Sequence, residues 1–302
     1  MSTAFDIPGR IRCGTILCPD LAASEADYRD VLGLDLVDDQ PVPDALAAAW
    51  GAPAMAGRPA RLLRAPGATP YLTRLVAGTP VPGFAPLKSF GWAAYEHSVA
   101  DCEALFARIQ TSAFTVIGAP KLVPGFDNFI PFQVTGRAGE VVYLNQVLKS
   151  EMSDLDLPRT SAIVDQMFIA ILAAGDRAAA VDFHVSELGF EEGQTWTIPY
   201  SVINNSFGME ADTLTDMTMT KTGRLPACEI DQYPAAAGNR PVTAGELPPG
   251  NALVSFISGP LDALRVPLLG PPARLENDLY QGRRSACVRG AAGELIELIE
   301  VS

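Results

Sequence analysis

Apolar and polar positions along this chain follow one plan that recurs. The β-favouring stretch IRCGTILC (11–18) ends at Pro19-Asp20 and is followed by an amphipathic run to Leu32 and then Gly33. A β-favouring run followed by helical spacing predicts a strand and then a helix. Asp20 is placed to cap that helix, because its side-chain oxygen can accept from N–H groups that the first turn leaves unpaired, and Gly33 is a normal stop. The same order returns in MFIAILAAGDRAAAVDFHVSELGF (167–190), where Asp176 opens and Gly189 closes, again thirteen residues apart.

A second pair of repeats lies downstream. GRAGEVVYLNQV (136–147) matches RGAAGELIELIEV (289–301), each reading as a tight turn and a final strand. Upstream of each is another strand-to-helix entry, GWAAYEHSVADCEALFARI with Asp101 and NALVSFISGPLDAL with Asp262. Self-similarity of this kind marks repeated supersecondary units. The expectation is an α+β chain of four βαβββ modules near 10–80, 88–149, 163–236 and 250–302. Two domains follow, 1–150 and 161–302, joined by the polar, Pro-ending linker 151–160. The aperiodic stretch 199–212 reads as a loop or short helix able to cover a site.

Composition narrows the partners. Acidic side chains (35) outnumber basic ones (22), for a net charge of −13, which repels a phosphate backbone or an anionic membrane surface. No basic start followed by an apolar core marks a leader at the N-terminus, and no apolar run is long enough to span a bilayer. Five scattered cysteines without a CxxC pair fit reduced thiols. The expected setting is the cytoplasm, and the expected partner is a small molecule.

The segments ADYRDVLGL (26–34), DFHVSELGF (182–190), GEVVYLNQV (139–147) and GELIELIEVS (293–302) resemble the helix ends and terminal strands of the vicinal-oxygen-chelate superfamily (glyoxalases, bleomycin-resistance proteins and extradiol dioxygenases). The resemblance implies two cup-shaped mixed sheets with helices outside, each built from two modules, and allows a homodimer. It also implies metal-ligand positions seven residues before each helix-opening Asp (Cys13, Ala94, Ile169, Ser255) and in each last strand (Arg74, Tyr143, Glu229, Glu297). If each domain closes its own cup, the first holds Cys13, Arg74, Ala94 and Tyr143, a scaffold without carboxylate or imidazole. The second holds Ile169, Glu229, Ser255 and Glu297.

Metal-dependent relatives need imidazole with carboxylate. Here His97 and His184 both miss the ligand positions, so no cofactor is expected, although the sequence leaves room for a divalent metal. His184 stands where Tyr28 stands in the repeat, a packing position. His97 reads as packing, or as a base fed by Glu96, and Cys13 as a buried thiol. Met209, Met217 and Met219 read as core or as pocket lining. The leading expectation is a metal-independent isomerase, epimerase or lyase acting beside a carbonyl. In it Glu297 is the base, its pKa raised by burial unless a cation or donors offset it, Glu229 the partner acid and Ser255 an orienting donor. The alternatives are a ligand-sequestering protein and a divergent ring-cleaving dioxygenase or glyoxalase.

Overall fold

The computed structural model describes residues 6–67, 69–122 and 128–301. Residues 1–5, read above for a leader, lie outside the described residues. The four modules are present. The first comprises β1 (Ile11–Cys18), α1 (Leu21–Asp30), β2 (Asp35–Asp38), α2 (Asp44–Ala49), β3 (Ala60–Arg64) and β4 (Leu72–Ala77). The second comprises β5 (Gly91–Val99), α3 (Cys102–Ile109), β6 (Thr115–Gly118), β7 (Phe129–Thr135) and β8 (Val141–Val147). The third comprises β9 (Val164–Ala174), α4 (Arg177–Ser186), β10 (Glu191–Pro199), α5 (Ser201–Phe207), β11 (Leu214–Thr222) and β12 (Leu225–Gln232). The fourth comprises β13 (Gly250–Ser258), β14 (Ala273–Arg274), β15 (Arg284–Arg289) and β16 (Leu295–Glu300).

Three helices open as their sequences predict. Asp20, Asp101 and Asp176 each accept from the backbone N–H three residues on, at 3.0 Å. We expect Asp101→Ala to cost about 1 kcal/mol in denaturant unfolding and Asp101→Asn to retain most of it. Equal losses in the two variants would show that the cap contributes little. The fourth entry departs from the plan. Asp262 begins no α-helix; only the 3-10 turn Leu261–Ala263 forms, because Pro260 precedes it and Pro267, Gly270, Pro271 and Pro272 interrupt any continuation.

The modules pair into two eight-stranded sheets, but not in sequential pairs. One sheet runs β14-β15-β16-β13-β1-β4-β3-β2, joining the first module to the fourth. The other runs β10-β11-β12-β9-β5-β8-β7-β6, joining the second to the third. The expectation that residues 1–150 and 161–302 each close a cup is therefore corrected. Every module offers the same free edge on its first strand, and nothing in the local pattern says which edge meets which. The seams are antiparallel, β1 on β13 and β5 on β9.

The two sheets stand back to back. Their convex faces share one apolar core with α1, α3 and α4, in which Ile16, Trp92, Tyr95 and Phe256 are buried. Tyr95 crosses between the sheets and donates to the carbonyl of Thr15 at 2.8 Å. It fits because residue 14 is glycine: a Cβ there would lie 3.0 Å from the Tyr95 ring. Each concave face carries a separate apolar cluster, one receiving α2 and the other α5. The stretch 199–212 thus supplies a short helix over the second concave face.

Candidate functional site

Strand register fixes which side chains share a layer inside each cup. Arg74 pairs with Thr15, Glu297 with Ser255, Glu229 with Ile171 and Tyr143 with Glu96. The equivalent first-strand positions are therefore Thr15, Glu96, Ile171 and Ser255. Counting back from Asp262 reached Ser255 because the fourth module carries two extra residues between strand and Asp. In the other three modules the same count stopped one inward position short, at Cys13, Ala94 and Ile169.

In the first cup, made by modules one and four, this layer is Thr15, Arg74, Ser255 and Glu297. Glu297 is fully buried, with 0% exposure. One carboxylate oxygen accepts from Trp50 Nε1 at 2.9 Å and Tyr280 OH at 2.7 Å. The other accepts from Arg74 Nη2 at 2.9 Å and Ser255 Oγ at 2.5 Å. Burial alone would raise its pKa, but the Arg74 charge and these donors outweigh it and hold Glu297 below the ordinary value. The cation and donors thus offset the rise that burial alone would bring. Arg74 also donates to Thr15 Oγ1 and Tyr280 OH, and its guanidinium lies 4.5 Å from the Trp50 ring centre. The Leu46, Ala47 and Ala49 side of α2, with Trp50 and Met55, fills the remaining space. Cys13 is buried there too, its thiol pushed up to about 11 by desolvation. The first cup is a closed ion-pair core.

The second cup, made by modules two and three, holds Ile171, Glu229, Glu96 and Tyr143 in the same layer. One step deeper, on the same faces of β12 and β8, stand Asp231 and Asn145, where the first cup has Val76 and Ile299. Tyr200, at the entry to α5, bridges the layer: its hydroxyl is 3.0 Å from Glu229 Oε1 and 3.2 Å from the Tyr143 hydroxyl. Asn145 Nδ2 donates to Glu96. Glu96 and Glu229 keep 7% and 8% exposure, so water reaches both. Tyr143, Ile169, Met219 and Tyr233 are buried in this cup, with Trp196, Tyr200, Phe207 and Met209 packed against them.

The electrostatics follow from burial, which among the described residues no lysine, arginine or histidine offsets. Burial pushes Glu229 up to about 7, against the donated bond from Tyr200. Burial, then the Glu229 charge, lift Glu96 well above the usual range, opposed by Asn145. Asp231 rises through burial and the charges of Glu229 and Glu96. Glu229 and Glu297 thus stand in different cups, which corrects the expectation that they share one. Asp231, Asn145 and Tyr200 were not singled out from sequence as members of a site, and Glu96 was named only as feeding a base at His97. Glu96, Asn145 and Asp231 each lie two residues beyond a candidate position (Ala94, Tyr143 and Glu229), the spacing that returns a strand to the same face.

Neither cup matches the donor set that metal-dependent relatives need. Arg74 occupies the heart of the first, and Glu297 has both oxygens committed. The second has no imidazole, since His97 bonds the Asp165 carbonyl and His184 the Ala180 carbonyl, both within the convex-side packing. Among the described residues no group of three or more His, Cys, Asp or Glu is gathered to hold a metal ion. A separate cavity of about 190 Å³, walled by Phe90, Trp92, Arg240 and Asn251, touches none of the three carboxylates of the second cup. Among the described residues no helix is long and apolar enough to cross a membrane.

No family model and no curated protein matches this chain. Solved structures do resemble it. Glyoxalase I from Zea mays superposes with a TM-score of 0.63 at 15% identity, over 96% of this chain and 92% of that one. A presumed dioxygenase from Bacillus subtilis superposes with a TM-score of 0.60 at 12% identity, over 97% of this chain and 85% of that one. Likeness at this identity is likeness of fold.

Proposed function

Starting from a chain with the tandem vicinal-oxygen-chelate fold, we propose that the cup of modules two and three acts on a small organic molecule by moving a proton beside a carbonyl. The observation that carries this reading is the single concave layer of Glu229, Glu96 and Tyr143, in which the Tyr200 hydroxyl bridges Glu229 and Tyr143 and Asn145 donates to Glu96. Two facing buried carboxyl groups do not ionise together, so one leaves its proton near neutrality while the other keeps it. Glu229 is then the base and Glu96 the acid. A carboxylate whose conjugate acid titrates near 7 is a stronger base than an exposed one and is about half ionised at neutral pH. Tyr200 donates to the charged Glu229 oxygen and can receive from Tyr143, while the Asn145 amide orients Glu96. Isomerisation, epimerisation and elimination all fit, because in each a C–H proton leaves to the base and a proton returns from the acid. Glu297 and Ser255 take no part, since their oxygens are engaged in the first cup.

The test is hydrogen exchange. Incubation in D2O with a panel of small carbonyl compounds bearing α-hydrogens should reveal one into which the protein places carbon-bound deuterium, followed by proton NMR. Glu229→Gln should slow that exchange by roughly 10²-fold or more, while Glu297→Gln retains the exchange in whatever fraction folds. Exchange that survives Glu229→Gln would sink the assignment. The aromatic and methionine walls (Trp196, Tyr200, Met209, Met219) support a second reading, a cup that only holds its guest. In that case a ligand recovered from the protein is chemically unchanged and no compound exchanges.

A further inference from the structure

The two cups share a backbone plan, and among the described residues the first contains a cation that the second does not. In the first, the Arg74 guanidinium donates at 2.9 Å to Thr15, 2.6 Å to Tyr280 and 2.9 Å to Glu297, and lies over the Trp50 ring. In the second, Glu229 stands where Arg74 would be, and Glu96 stands where Ser255 would be. Among the described residues no lysine, arginine or histidine acts on Glu229, Glu96 or Asp231; the groups that shift them are one another, Asn145 and Tyr200. Three buried carboxyl groups without a partner cation are a costly arrangement in a folded chain.

The unpaired atoms point the same way. Asn145 Oδ1 and Asp231 Oδ1 are buried acceptors without a hydrogen-bond partner, and their residues are 2% and 1% exposed. The Asn145 amide nitrogen is already engaged with Glu96, so what its free oxygen needs is a donor. Guanidinium, amidinium and ammonium groups carry only donors. Around them Tyr143 and Met219 are buried and Tyr200 packs against the same cluster, aromatic and soft apolar surroundings of the kind that suit a cationic head on an apolar body.

We propose that the second cup binds an organic cation, a guanidinium, amidinium or primary ammonium group on an apolar or aromatic body, with its charge among Glu229, Glu96 and Asp231. This rests on the reading of that cup as the functional site. The guest would make there the contacts that Arg74 makes in the first cup. Binding also changes protonation. The groups facing Glu229 are Glu96 on β5, Tyr143 on β8, Asp231 and Tyr233 at the end of β12, and Tyr200 at α5, none of them cationic. A bound cation therefore favours the ionised carboxylate. Near neutral pH the neutral carboxyl group gives its proton to solvent, and the carboxylate that remains pairs with the guest. A substrate of this class would thus switch on its own general base.

The experiment compares benzamidine with benzamide, its neutral near-isostere, on the unmodified full-length chain by titration calorimetry. Running it at pH 6, 7 and 8 in two buffers of different ionisation heat counts the protons exchanged. Benzamidine should bind at least about tenfold tighter than benzamide. It should release protons at pH 7 and tighten as the pH rises from 6 to 8. Glu229→Gln should remove most of that preference. Equal binding of the two probes, or benzamidine binding without proton release, overturns the cation proposal while leaving the cup as a small-molecule site. Binding of neither into the millimolar range also overturns it, and the deuterium-exchange result then decides independently whether the proton-transfer reading survives. The calorimetry needs no variant, so a misfolded Glu229→Gln does not block the decision.

Discussion

Arg74→Met should destabilise the protein by about 3–5 kcal/mol, because it strands the fully buried Glu297 carboxylate without its cation. The volume of the side chain is nearly kept, so the loss is electrostatic rather than a cavity. Thr15 and Tyr280 each lose a partner as well. The double variant Arg74→Met/Glu297→Leu should recover most of the loss, since replacing both members of a buried pair by apolar groups removes the desolvation cost along with the attraction. Denaturant unfolding of the two variants and the parent checks this. The pH dependence has a definite sign. Glu297 has a depressed folded pKa, so its contribution is present above the ordinary glutamate value and fades as pH falls through the folded one. In Arg74→Met that carboxylate protonates more readily, so the gap between variant and parent should narrow in acid. A loss below about 1 kcal/mol for the single variant would mean that Trp50, Tyr280 and Ser255 hold the carboxylate without help.

Much of the fold was legible because it is written locally. Capping aspartates, closing glycines and alternating strands gave four modules, and three of the four helices open at the residues expected. The fourth did not, because the prolines after Asp262 outweigh its capping potential. Module pairing was not legible, and that single choice decided the candidate site. With sequential pairing, Glu229 and Glu297 share a cup; with the observed pairing, Glu297 meets Arg74 and Glu229 meets Glu96. The difference is one of charge balance. A carboxylate facing an arginine is a structural core, and the same residue type facing another carboxylate is a group near its titration point. Trp50 and Tyr280 come from an inserted helix and a loop, which carry no periodic signal. Glu96, by contrast, was within reach: it stands beside His97, which drew attention first, yet the two point to opposite faces of β5.

The same charge imbalance should appear in the stability of the whole protein, which we expect to fall as pH rises from 5 to 8. Burial pushes Glu140, Glu229 and Glu294 each to about 7, and burial with neighbouring carboxylate charge lifts Glu96 and Asp231 well above their ordinary values. Between the ordinary glutamate pKa and the folded one, the unfolded chain has lost its proton and the folded chain retains it. Folding then binds protons, and stability declines with pH by about 1.4 kcal/mol per unit for each such proton. A group whose folded pKa is raised contributes fully below its unfolded pKa and loses that contribution as pH passes the folded value. Several glutamates acting together make the decline several kcal/mol in order of magnitude. The Glu297 pair acts in the opposite direction only in acid. His97 and His184, held neutral by burial with pKa values of about 4, oppose the decline up to their ordinary value near 6.5, so the fall is steepest above pH 6. Glu229→Gln should flatten the slope by about one proton, and Glu96→Gln should flatten it as well. Unfolding free energies measured from pH 4.5 to 8.5 decide the matter. A flat or rising profile, or a slope untouched by both variants, would mean that water or backbone donors already satisfy the carboxylates of the second cup.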